Sequence, residues 1–441
     1  MNNPLFLAPF IIFIFIIAVL PSVPRLSNWW KKDFSKVLLS ALAAIVGVVL
    51  YVLVTGDYIR VYQVFLEYGA FIALLAALFV VSGGIHISGA FAGFPFMNTL
   101  FLLTGAVFSN YLGTTGASLL LIRPLLRANK HRQHKTHLFV FFIFIVANCG
   151  GLLAPLGDPP LYLGFLHGVP FLWTFRLLPH WALVTFILLF VFHVMDEYYF
   201  RKEEVSAKQN LAAEIASAHR AIHVEGRRNI LLLGVVLAVV LFSGYRLNPW
   251  LAQQVGRVSA DSLCDLFQIV LLSGIAWVSF KGTSPRIHVK NSLHLAPIQE
   301  VAILFFGVFG TMIPALAFLQ AQAAGLNLTE PWQYFWASGL LSGFLDSAPA
   351  YLSFTTLAAA RGGLPPGQWN LLAEHSPRLL AAISCGTVWM GALTYVGNGP
   401  NLMVKAVVEH MGVKMPSFGG FLLWSLAVMG PVLVLATFVF F

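Results

Sequence analysis

The chain contains the stretch Gly151-Leu152-Leu153-Ala154-Pro155-Leu156-Gly157-Asp158-Pro159-Pro160 and, 240 residues later, Gly391-Ala392-Leu393-Thr394-Tyr395-Val396-Gly397-Asn398-Gly399-Pro400-Asn401. In each, a Gly is followed six residues on by Gly-[Asp/Asn]-x-Pro, inside an otherwise apolar region. Glycine and proline interrupt helices, so each stretch marks a break. Two such breaks at corresponding positions of a hydrophobic chain predict an internal repeat in which each copy contributes a broken helix.

Of the 441 residues, 59% are hydrophobic and 10% charged. So few charges do not cover the surface of a soluble domain of this length. Several apolar runs of about 20 residues match a bilayer core of about 30 Å, and backbone exposed to lipid must be helical. The chain therefore reads as an all-α polytopic membrane protein with the lipid bilayer as a partner. The net charge of +9 is not read as nucleic-acid binding, because the Lys and Arg residues fall in loops, where they set orientation. Cys149, Cys264 and Cys385 lie in apolar surroundings without CxxC spacing and read as packing residues. The N-terminal Met1-Asn2-Asn3-Pro4-Leu5 lacks a basic region, so the first apolar run reads as a retained span. There is no P-loop, nucleotide fingerprint, Ser-His-Asp order or HExxH. The expectation is neither an enzyme nor an ATP-driven pump, with no cofactor beyond a coupling ion.

Ten spans are predicted, at about 5–23, 37–55, 63–82, 138–156, 171–194, 229–246, 262–280, 297–320, 377–396 and 418–440. Two further apolar stretches, 96–122 and 333–360, are interrupted by polar and small residues. Basic residues cluster at Arg25, Lys31, Lys32 and Lys36, at Arg123, Arg127, Lys130, Arg132 and Lys135, in 196–228, and at Lys281, Arg286 and Lys290, whereas 321–332 has none. The positive-inside rule places the four basic loops in the cytoplasm and 321–332 outside. That works only if each interrupted stretch is a re-entrant hairpin. Both termini then lie outside, on the periplasmic face of a bacterial-type inner membrane. The halves 1–195 and 229–441 become an inverted-topology repeat of two five-helix units, with 196–228 as a cytoplasmic linker carrying a surface helix.

The hairpins carry Ser109-Asn110-Tyr111-Leu112-Gly113-Thr114-Thr115-Gly116-Ala117-Ser118 and Leu345-Asp346-Ser347-Ala348-Pro349-Ala350-Tyr351. Unwound backbone at membrane depth frees carbonyls for Na⁺ and exposes helix N-termini to anions. Asn, Asp, Ser and Thr oxygens suit a hard cation. Asp346 stands out, because a mid-membrane carboxylate costs about 2.5–3.5 kcal/mol to insert. It reads as a Na⁺ ligand or proton carrier, and its sequence also suits a helix N-cap. Asp158 and Asn398 occupy equivalent positions, beside Gly157 and Gly397. Asn110, Thr114, Thr115, Ser347, Thr394 and Asn401 complete the candidate lining, with Asp346, Asn398 and Asn110 as Na⁺ ligands. Asn148 is a further candidate. Glu300 reads as an interfacial first-turn acid. His131, His134 and His137 read as part of a cytoplasmic basic loop, since the surrounding cations repel a metal.

At these segments the chain resembles the ion transporter superfamily. The matching residues are Leu345-Asp346-Ser347-Ala348-Pro349, Gly397-Asn398-Gly399-Pro400-Asn401, Ser109-Asn110 with Thr114-Thr115, and the span Glu300-Val301-Ala302-Ile303-Leu304-Phe305-Phe306-Gly307. It is most similar to the branch described as citrate transporters, some of them called sodium:proton antiporters. The resemblance implies two repeats, hairpin tips that hold substrate and Na⁺, and alternating access against a scaffold that dimerises. The tips depart from the paired Ser-Asn-Thr of dicarboxylate carriers, and no Arg or Lys falls inside the four broken segments. On chemistry alone that favours Na⁺/H⁺ exchange. Cation-coupled uptake of citrate or another carboxylate is the alternative, and an arsenite-type anion permease a further one.

Overall fold

Apolar runs without polar interruption leave the backbone no hydrogen-bond partner but itself, and the chain is helical almost throughout. The computed structural model describes residues 4–20, 29, 32–88, 93–203, 223–291, 293–323, 328–345, 347–364 and 369–441. In the first half the helices are α1 (Ala8–Val19), α2 (Asp33–Thr55), α3 (Tyr58–Gly83), α4 (Pro95–Ala128), α5 (Thr136–Ile145), α6 (Pro159–Leu166) and α7 (Leu178–Arg201). In the second they are α8 (Arg227–Phe242), α9 (Asn248–Val255), α10 (Arg257–Gly282), α11 (Pro285–Lys290), α12 (Ala296–Ala323), α13 (Pro331–Phe344), α14 (Ser347–Arg361), α15 (Trp369–His375), α16 (Pro377–Met390), α17 (Gly399–His410) and α18 (Phe418–Phe440).

Among the described residues, seven helical segments are long and apolar enough to cross a membrane: 33–55, 58–83, 136–153, 171–201, 259–282, 296–318 and 418–440. The chain is an all-α polytopic membrane protein. Three expected spans, 5–23, 229–246 and 377–396, correspond to shorter helices at Pro4–Ile17, Arg227–Phe242 and Pro377–Leu393. The last is short because it breaks at Gly391. Most of the linker 196–228 lies outside the described residues. Its end, His223–Glu225, is a strand (β2) and not part of a helix. It pairs antiparallel with β1 (His86–Ser88).

The two halves interlock. Helix α2 packs along α12, and α10 packs along α3; α1 also touches α12, and α8 touches α3. Small residues allow the α2–α12 approach: a Cβ on Gly47 would sit 2.5 Å from Gly310 O, and Gly310 faces Ala44.

Both interrupted stretches fold back on themselves. In α4, Gly113 adopts φ 74° and ψ 155°, a conformation that only glycine enters without strain. Asn98 and Asn129, which a straight helix would separate by about 46 Å, exchange two side-chain hydrogen bonds of 3.0 and 2.9 Å. The second turn lies between α13 and α14, and Arg361 Nη1 returns to Leu328 O at 2.8 Å.

The basic loops gather on one face. Lys36 pairs with Glu300 at 2.7 Å. Arg127 donates to Asn291 Oδ1 at 2.8 Å, Arg132 meets Asp196 at 2.6 Å, and Lys290 meets Glu225 at 2.6 Å. Lys290 holds the Glu225 carboxyl below the usual carboxylate range. The base of the α4 hairpin is on this face, because Asn98 also donates to Asp196 Oδ2 at 2.9 Å.

Candidate functional site

The duplicated motif builds the same local structure twice. After α5 and after α16 the chain enters a 3₁₀ turn, Cys149–Leu153 and Gly391–Leu393. It then becomes extended at Ala154 (φ −133°, ψ 147°) and Thr394 (φ −133°, ψ 168°). It resumes as helix one residue beyond Asp158 (φ −148°, ψ 147°) and Asn398 (φ −151°, ψ 139°). The paired glycines make this loop closable. A Cβ on Gly397 would lie 2.6 Å from Gly391 O, and one on Gly157 would collide with Gly151 O. Proline at or next to the first helical position restarts each helix where its missing N–H does no harm.

The two loops meet, and they meet through their equivalent residues. Asn398 Nδ2 donates to Asp158 Oδ1 at 3.1 Å, and it also approaches Ala147 O (3.1 Å) and Asn148 Oδ1 (3.2 Å). Thr114 Oγ1, one residue past the Gly113 turn, donates to the same Asp158 Oδ1 at 2.7 Å. Thr114 N donates to Gly157 O at 2.8 Å. Asp158 and Asn398 are each 2% exposed. A buried carboxylate is stabilised by such donors, and here they come from the α4 hairpin and from the opposite half.

Around this centre the remaining candidates hold the broken backbone. Asn148 Nδ2 donates to Asn401 Oδ1 at 2.7 Å. Asn401 Nδ2 donates to Gly391 O (2.8 Å) and Thr394 O (2.9 Å). Thr394 Oγ1 donates to Gly343 O at 2.6 Å and accepts from the N–H groups of Val396 and Gly397. Asn110 Nδ2 donates to Gly150 O at 2.8 Å, and its Oδ1 accepts from Leu153 N at 2.8 Å. Asn110 thus pins the hairpin tip to the first loop, and its side chain is not in hydrogen-bond contact with Asn398. Thr115 is half-buried beside Thr114, and Ser347 is buried at the start of α14. Asp346, between Leu345 and Ser347, lies outside the described residues.

Two residues here lack a motif of their own. Ser342 Oγ donates to Thr387 O at 2.6 Å, and Gly343 supplies the carbonyl for Thr394. Both belong to the run Ser338-Gly339-x-x-Ser342-Gly343, whose four-residue spacing of small residues marks a close helix contact. Away from the crossing, Glu300 is the ion-pair partner of Lys36. His137 is buried with Nε2 2.8 Å from Asp196, and it stacks on Tyr199. Arg132 and His137 share that carboxylate, tying the hairpin base, the following loop and α7 together.

The family described as putative citrate transport matches residues 2–441. The chain belongs to this family. It is thereby a member of a transport family, in keeping with its multi-pass helical structure. No curated protein matches the chain. The match runs through both broken loops and both hairpins.

Proposed function

We propose that the chain is a secondary active transporter of citrate or a related carboxylate, coupled to Na⁺ or H⁺ and working by alternating access at the crossing of its broken segments. The observation that carries this reading is the hydrogen bond between Asp158 and Asn398. In an inverted repeat, equivalent residues touch only where the symmetry axis passes, and carriers of this type bind their cargo on that axis at the broken helices. The exchanged pairing of α2 with α12 and α10 with α3 supports the same repeat, because swapping the halves turns one pair into the other.

The roles follow from the donor set. Asp158 Oδ1, Thr114 Oγ1 and the loop carbonyls offer a hard cation the oxygens it takes. Protonation of Asp158 would compete with that cation for the same oxygens, which is how a carboxylate couples H⁺ or Na⁺ to transport. Asp346 is the second carboxylate we propose for this role. The N-terminus of α17, at Gly399, faces the extended loop and suits an anionic carboxylate of the cargo. We place the basic face in the cytoplasm and both termini outside.

Purified protein in liposomes tests this. Labelled citrate is expected to accumulate under an imposed Na⁺ or H⁺ gradient. Asp158→Asn keeps the side-chain volume, and it is expected to fold while losing the cation dependence. Absence of citrate uptake under every gradient would remove the reading. A second reading, Na⁺/H⁺ exchange, rests on the absence of any Arg or Lys from the sequence of the four broken segments, 109–118, 151–160, 345–351 and 391–401. Proton release driven by Na⁺ alone, without citrate, would establish it instead.

A further inference from the structure

Two elements that begin at the crossing end at the same small cavity. The second arm of α4 leaves Thr114 and reaches Arg123 nine residues later, about 14 Å along a helix. Helix α17 starts just after Asn398 and reaches His410 about 18 Å on. These arms pack together. Between them, with Phe79 of α3, His294 and the first turn of α12, is a cavity of about 10 Å³ lined by Phe79, Arg123, His294, Pro297, Val407, His410 and Met411. It has room for one water-sized group. It lies on the side of the basic loops, between the crossing and that face.

Arg123 is 3% exposed, and it hydrogen-bonds through Nη1, at 3.5 Å to Ser82 Oγ and 3.5 Å to Leu119 O. The Phe79 ring, 4.7 Å from Cζ, adds a cation–π contact. No carboxylate among the described residues pairs with Arg123. The neighbouring acids are already taken: Glu300 by Lys36 and Glu409 by Lys405. Arg127 is engaged with Asn291 and Ile87 O. A guanidinium buried without a counter-charge is destabilising unless an anion joins it, and its planar fork matches a carboxylate. At the rim, His410 Nδ1 is 2.9 Å from Ala406 O. A carbonyl only accepts, so Nδ1 carries the proton there. His294 is exposed beside it.

We propose that this cavity is the inner end of a second anion site, which takes one oxygen of a cargo carboxylate on its way between the crossing and the basic face. The carboxylate preference rests on the transport reading above, whereas the anion site itself does not.

Formate, the smallest carboxylate, is the probe, since the room in the cavity matches one of its oxygens. Thermal unfolding of the purified protein is followed against formate at constant Na⁺ and ionic strength, with methanesulfonate as the balancing anion. A saturable rise in Tm of a few degrees is expected. The rise is expected to disappear in Arg123→Gln and to survive in part in Arg123→Lys. Val407→Phe, which fills the cavity and leaves Arg123 in place, is expected to abolish it as well, so the result does not hang on one variant's folding. An equal rise in Arg123→Gln or in Val407→Phe overturns the site. Asn398→Ala separates the two readings: it is expected to lose citrate transport and keep the formate response. A formate response in a protein that never transports citrate would count against the transport reading alone.

Discussion

Gly397 and Gly157 show what a single absent methyl group does at the crossing. Each loop closes because one glycine faces the carbonyl of the glycine six residues before it. A Cβ on Gly397 would also press on Gly343 O at 2.9 Å and Ser342 O at 3.0 Å. Those are backbone atoms, which cannot rotate aside. Gly397→Ala is therefore expected to destabilise the protein by about 1–3 kcal/mol and to abolish transport, since it pushes the loop from its hairpin. Gly430 in α18 makes the contrast, because a Cβ there meets nothing within 4 Å. Gly430→Ala is expected to be neutral or to stabilise by up to about 1 kcal/mol through helix propensity. Thermal unfolding of both variants in one detergent checks the pair, and equal effects would show that the contacts at Gly397 do not matter. Glycine and proline announce such positions in sequence because they do what other residues do not. Asn148 carries no such announcement, although it links Asn401 and Asn398 across the halves. Its partners are some 250 residues away, and only the folded chain brings them near.

The hairpin of α4 is an element defined by its base as much as by its tip. Asn98 and Asn129 exchange amide hydrogen bonds there, and Asp196 accepts from Asn98 while it pairs with Arg132. A double-mutant cycle of Asn98→Ala and Asn129→Ala is expected to show a coupling of about 0.5–3 kcal/mol; additive losses would mean that the arms are held by lipid and packing alone. Arg132→Met leaves Asp196 buried without its cation and is expected to cost about 3–5 kcal/mol, read by chemical or thermal unfolding. The hairpin was legible in outline, because the loop charges required 96–122 to return to its starting side. Its length was not, since α4 runs from Pro95 to Ala128. The arms stay helical through Pro124, and hydropathy gives no mark where an arm leaves the bilayer. The clasp was also hidden: in sequence His137 and Arg132 belong to a basic run, and Asp196 lies 59 residues beyond His137. The Ser338–Gly343 contact was readable from its small-residue spacing, although hydrophobic periodicity alone passes over it.

For the molecule as a whole, charge and contact point the same way. Lys36–Glu300, Arg127–Asn291, Arg132–Asp196 and Lys290–Glu225 each join two segments that flank or form a basic loop. Four loops distant in sequence therefore share one face, as they must if they share one compartment. The positive-inside rule then gives that face its side. Helix α12 leaves it at Ala296 and, at about 1.5 Å per residue over 28 residues, is long enough to cross the bilayer. Residues 328–332 and the base of the second hairpin thus belong on the opposite side. Single cysteines at exposed positions test this orientation, and the native Cys149, Cys264 and Cys385 are buried. Arg286→Cys, on the basic face, is expected to react with a membrane-impermeant maleimide only after bacterial cells expressing the protein are permeabilised. Thr329→Cys is expected to react in intact cells. The reverse pattern would invert the whole assignment. Labelling of both positions from the same side would break the inverted repeat itself, because the two hairpins would then enter from one face and Asp158 and Asn398 could no longer be equivalent.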